Sequence, residues 1–104
     1  MNNLHLSAEA QNDLMEIKAY IEEDLLNPSA ALTTVSRITK SLRVLQNYAH
    51  AGALLSSIAD IESVYRIIVS GNYISFNRVC GNDIYIDRIL YARRDYLRIL
   101  FPEL

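Results

Sequence analysis

The sequence predicts an α+β fold: a short N-terminal strand, an antiparallel helix hairpin packed on one face of an antiparallel sheet, and a short C-terminal helical segment. Three observations predict it. Apolar residues recur at helical spacing from Ala10 to Leu45, as they do where a helix buries one stripe. From Val64 to Tyr91 the chain turns β-branched and aromatic and is punctuated by Gly71-Asn72 and Gly81-Asn82-Asp83, the marks of strands joined by tight turns. At 104 residues and 51% hydrophobic, the chain can build one core and is too short for two. Residues 1–104 therefore read as one domain.

The elements follow in order. Leu4 and Leu6 alternate in "NLHLS", a short strand, and Ser7 stands where a helix would be capped. Ala10, Leu14, Ile17, Ile21 and Leu25 then lay an apolar stripe along a helix of roughly 18 residues. Glu9 lies in its first turn, where the helix dipole favours an acid. Asn27 is a capping residue, and Pro28 follows at a first helical position that needs no N–H. A second stripe runs through Ala31, Val35, Ile38, Leu42 and Leu45. With so short a join the two helices lie antiparallel. Their stripes bury too little to offset the entropy of ordering the hairpin, so a sheet must support it. Tyr48 to Leu55 reads as a connecting loop, and Asp95 is placed to cap a last turn or two that Pro102 ends.

Side-chain parity assigns the sheet faces. A two-residue turn at Gly71-Asn72 pairs Ser70 with Tyr73 and Arg66 with Asn77. A three-residue turn at 81–83 pairs Cys80 with Ile84 and Asn77 with Asp87, whereas a two-residue turn would send Asp87 into the core. One face then collects Tyr65, Ile67, Val69, Ile74, Phe76, Cys80, Ile84, Ile86 and Leu90, where the helices are expected to dock. The other carries Tyr73 beside Tyr91, and a row of Arg66, Asn77 and Asp87. Arg78 and Arg88 share the apolar parity, which predicts that they lie at the sheet's end or pair with helix acids such as Asp13, Glu16 or Glu22.

Composition narrows the function classes. No apolar run approaches the roughly 18 residues that cross a bilayer, and the N-terminal residues do not read as a secretory signal, so no membrane association and a cytoplasmic location are expected. Cys80 is the only cysteine, expected as a small buried hydrophobe. His5 and His50 have no ligand spacing, so neither metal nor cofactor is expected. The net charge of −2 is uneven: four basic residues face seven acids from Met1 to Ile61, and six arginines face five acids from Glu62 to Leu104. Four of those arginines fall in "RILYARRDYLRILF", residues 88–101. The row of Arg66, Asn77 and Asp87 and the Tyr73–Tyr91 pair on the open face are candidate binding residues, and so are Arg93, Arg94, Tyr96 and Arg98, because tyrosine and arginine are enriched at interface hot spots.

The segments "LHLSAEAQNDLMEIKAYI", "YRIIVSGNYISFNRV" and "IYIDRILYARRDYLRILF" resemble the RelE/ParE superfamily of bacterial type II toxins over nearly the whole chain. Tyr65-Arg66, Gly71-Asn72-Tyr73, and Arg88-Ile89-Leu90 followed by Arg93-Arg94-Asp95 carry the likeness. Ala49, Asn77 and Tyr91 depart from it, standing where the family often has proline, tyrosine and histidine. The resemblance implies a growth-inhibiting toxin held silent by a cognate antitoxin protein, with operator DNA met only through that antitoxin. It also implies one of two targets. ParE-like members bind DNA gyrase; RelE-like members cleave messenger RNA on the ribosome, which here would fall to Arg66, Arg88 and Tyr91. Such cleavage needs a group titrating near neutrality and a surface attractive to phosphate. The second half of the chain holds no histidine, Asp87 opposes phosphate, and the pI is near 5.6. Gyrase inhibition is therefore ranked first, ahead of ribosome-dependent cleavage and of a non-toxic, antitoxin-binding regulator.

Overall fold

The computed structural model describes residues 1–103. Strand β1 (Asn3–Leu6) leads into helix α1 (Ala8–Ala19), whose first turn is capped by the Ser7 side chain accepting from the Ala10 N–H. A π-helical turn, Tyr20–Asp24, extends it. Helix α2 (Pro28–Arg43) begins as its sequence requires, with the Asn27 side chain accepting from the Ala30 N–H. A two-residue strand β2 (Ala53–Leu54) lies within the stretch expected to be loop, and precedes β3 (Arg66–Ser70), β4 (Tyr73–Cys80) and β5 (Asp83–Tyr91). Helix α3 (Tyr96–Leu100) closes the described chain; Asp95 stands at its N-cap position without a side-chain capping bond.

The α1 stripe is cut short by the π turn. Leu25 N–H donates to the Tyr20 carbonyl, one residue further back than an α-helix would reach. The extra residue rotates Leu25 off the stripe, so it is 55% exposed while Ile17 and Ile21 stay buried. Leu26, at φ 53°, then takes the left-handed conformation that reverses the chain into Asn27.

The five strands lie in the order β1-β5-β4-β3-β2, with β1 parallel to β5 and the other pairs antiparallel. The β3–β4 turn has the expected register, Ser70 opposite Tyr73 and Arg66 opposite Asn77. The β4–β5 turn does not. It has two residues, Gly81 and Asn82, so Cys80 pairs with Asp83. Asp87 is kept out of the helix-side core by a β-bulge instead: Ile86 pairs with Asn77 and Arg88 with Phe76, leaving Asp87 as the extra residue.

That bulge revises the faces. The helix hairpin docks on Ile84, Ile86 and Ile89, together with Ile68, Tyr73 and Val79. Ile67, Ile74, Phe76 and Leu90 point the other way and form a second cluster with Leu55, Tyr65, Tyr96, Leu97 and Phe101. Val69 is 60% exposed, and Cys80, expected inside, is also exposed. The uncovered tyrosine-lined face expected from parity is thus absent: helices roof the side bearing Tyr73 and Asn77, and α3 with its neighbours covers the opposite one.

Candidate functional site

The bulge organises two polar constellations, one on each side of the sheet. On the helix side, Asp13 is only 5% exposed and accepts from Arg88 Nε at 2.8 Å, Arg88 Nη2 at 2.9 Å and the Ile89 backbone N–H at 2.9 Å. One carboxylate therefore neutralises the guanidinium and also accepts from a strand amide next to the bulge. The hydrogen bonds that Arg88 donates to Asp13 hold the Arg88 pKa above its ordinary value, with burial opposing it. Ser7, besides capping α1, donates its hydroxyl to the Asp87 carbonyl at 2.8 Å. The start of α1 and the bulge are thus fastened to each other.

On the α3 side, the Asp87 carboxylate accepts from Tyr65 Oη at 2.8 Å and from Arg78 Nε and Nη2 at 2.6 and 3.1 Å. Arg78 also lies over the Tyr85 ring. Burial first, and then the hydrogen bond to Asp87, push the Tyr65 pKa up to about 12. Arg66 belongs to neither network. Its Nη1 donates to the Gly52 carbonyl at 2.8 Å, at the β2–β3 edge. Gly52 is needed there, since a Cβ would stand 2.7 Å from the Ile67 carbonyl oxygen.

The expected row of Arg66, Asn77 and Asp87 is therefore dispersed. Asn77 is fully buried beneath the helices, and among the described residues neither its amide nitrogen nor its oxygen has a hydrogen-bond partner. Arg88 and Tyr91 do not meet Arg66 either. The Arg66–Asn77 row and the Tyr73–Tyr91 row are four residues apart along β4, about 13 Å at strand rise.

The structure does bring together Tyr73, Tyr91 and Arg94. They line an open groove of about 480 Å³ between the end of the β4–β5 pair and the α1 side of the hairpin. The Tyr73 and Tyr91 rings sit 5.8 Å apart, and Tyr91 is 38% exposed. Residues that sequence reasoning did not assign to the site also form its walls, among them Asp13, Glu16 and Ile17 from α1, the exposed Tyr20 and Leu25 from the π turn and its end, and Asn72. Tyr20 carried a readable signal, a large aromatic beside the stripe; the π turn that exposes Leu25 carried none. Burial, then the neighbouring Tyr91 and Tyr20, raise the Tyr73 pKa. The hydroxyl is a poorer acid than a free tyrosine, and among the described residues no histidine lines the groove. Of the remaining candidates, Arg93 is exposed, Arg98 pairs with Asp95 at 3.3 Å on the surface, and Tyr96 packs its ring against Phe76 at 5.4 Å. The groove is equipped to hold an apolar or aromatic side chain beside a charge, which is interface chemistry.

Comparisons agree on one family. The model for the ParE toxin of type II toxin-antitoxin system, parDE, matches residues 4–96. Among solved structures, a chain of the chromosomal ParDE TA system from P. aeruginosa is 26% identical, with a TM-score of 0.75 over 89% of this chain and 98% of that one. No curated protein matches. Among the described residues no helix is long and apolar enough to cross a membrane.

Proposed function

The chain belongs to the ParE toxin family of type II toxin-antitoxin systems, and from that premise we propose that this toxin component arrests growth by binding DNA gyrase and is silenced by a cognate antitoxin protein. The observation that carries the reading is the engagement of the three arginines carried by the sheet strands. A ribonuclease site would need guanidinium groups free to meet a scissile phosphate. Here Arg88 is held by Asp13, Arg78 by Asp87 and Arg66 by the Gly52 carbonyl. Around the groove, Tyr20, Tyr91 and Arg94 remain available, with Arg93 beside them, and they suit recognition of a protein surface rather than proton transfer.

Two measurements test it. Induced expression should arrest growth, and co-expression of the cognate antitoxin should relieve the arrest. Purified gyrase should lose supercoiling activity when the protein is added, and Tyr91→Ala or Arg94→Ala should weaken that inhibition by tenfold or more. Unimpaired supercoiling together with cleavage of ribosome-bound message would overturn the proposal in favour of RNA cleavage.

A further inference from the structure

Helix α2 carries Arg37, Lys40 and Arg43 and no acid. Arg37 is set apart by its surroundings. With Thr34, three residues earlier and so on the same helix face, it meets the β3–β4 turn and lines a cleft of about 100 Å³ with Ser70, Gly71, Asn72 and Tyr73. Thr33 and Thr39 donate their hydroxyls to backbone carbonyls of their own helix. Among the described residues, Thr34 and Ser70 have no such partner, and Arg37 has no carboxylate within ion-pair distance. The Gly71 and Asn72 amides likewise donate to no backbone carbonyl among the described residues.

We propose that this cleft is an oxyanion site that takes a phosphate group, free or as the end of a phosphomonoester. Its lining residues carry a guanidinium fork and the hydroxyls of Thr34, Ser70 and Tyr73, and include no carboxylate. Donor-bearing residues line it from both the helix and the turn, whose Gly71 and Asn72 amides have no backbone acceptor among the described residues. A tetrahedral anion can use both sets, whereas a planar carboxylate satisfies the fork and little else. The cleft holds about 100 Å³, room for the five heavy atoms of a phosphate. Asn72 and Tyr73 also line the larger groove, so the organic part of a monoester would extend beside Tyr20 and Tyr91. An occupied cleft would add negative charge at one end of the surface assigned above to a protein partner. The inference does not depend on which target that is.

The test is a titration of the isotope-labelled protein with inorganic phosphate at constant ionic strength, following the Gly71 and Asn72 amide resonances. Saturable shifts confined to the cleft are expected. Arg37→Gln should weaken binding at least tenfold and Thr34→Val several-fold, while Arg43→Gln, on the same helix outside the cleft, should leave it unchanged. Adenosine monophosphate in parallel identifies the source: tighter binding than phosphate marks a monoester, weaker binding the free ion, and either upholds the site. Shifts that never saturate, or equal losses from Arg37→Gln and Arg43→Gln, would reduce the effect to diffuse attraction by a basic helix and overturn the proposal.

Discussion

The two faces of the sheet are covered by different means. On one, a hairpin of two long helices is fastened by directional bonds: the Ser7 cap that also reaches Asp87, and Asp13 beneath Arg88 and Ile89. On the other, a five-residue helix with no fully buried residue lies over Phe76 and Leu90 through half-buried side chains. Helices this short are not stable by themselves, so α3 is held by what it touches. The first face resists opening as a unit, and the second can open locally. A surface that must exchange partners is better placed near the second kind of cover, and Arg93 and Arg94 lie in the segment that joins β5 to α3.

The largest break in that comparison should come from Asp13→Ala. It leaves the half-buried Arg88 without a counter-charge and the Ile89 N–H without an acceptor. Removing one partner of such a pair costs about 3–5 kcal/mol, which chemical denaturation would read as a large fall in midpoint at unchanged slope. A smaller effect should follow Leu97→Ala on the opposite face. Leu97 is only partly buried, so the loss should be about 1–2 kcal/mol, below the range for fully buried leucines. Amide exchange in α3 should accelerate while that in α1 keeps its protection. Equal acceleration in both would show the two faces to be one cooperative unit.

Asn77 is the exception on the fastened face, a fully buried amide in the sheet with no partner among the described residues. Asn77→Leu keeps the branched heavy-atom outline without the polar atoms and, with the desolvation penalty of the unpaired amide outweighing the added bulk, should raise stability by about 1 kcal/mol. A loss of stability on thermal melting would mean that the amide is satisfied by something that the leucine displaces.

The same elements mark how far the sequence could be read. Local signals were legible: the Ser7 and Asn27 caps, the stripes from Ala10 to Ile21 and from Ala31 to Leu45, and the Gly71-Asn72 turn each depend on residues a few positions apart. What was not legible depends on a single inserted residue. Parity required Asp87 to leave the core, but a longer turn and a bulge satisfy that requirement equally, and they assign the flanking residues to opposite faces. Choosing the bulge needed Ser7 and Asp13, more than 70 residues away, whose oxygens serve the bulge backbone. The π turn at Tyr20 is the same kind of event in a helix. The dispersal of Arg66, Asn77 and Asp87 and the Leu25 wall of the groove both follow from such insertions, which leave the composition of their neighbourhoods unchanged.

The smallest effect separates the two faces by pH. Tyr65 belongs to the α3 side and Tyr73 to the groove, and both hydroxyls are raised, the first to about 12 by burial and then its bond to Asp87. A raised folded pKa means that the native state binds the proton more tightly than the unfolded chain, whose tyrosines titrate near 10. The stabilisation is complete below pH 10 and is lost as pH climbs from 10 through about 12. Tyr65→Phe keeps the ring against Phe76 and Phe101 and removes the titrating group, so the alkaline fall in stability should become shallower in this variant. Tyr73→Phe should flatten the same limb independently, and the double variant should show the sum, because the two rings lie on opposite sides of the sheet and share no partner. Non-additive slopes would mean that charge on one face is felt through the sheet by the other.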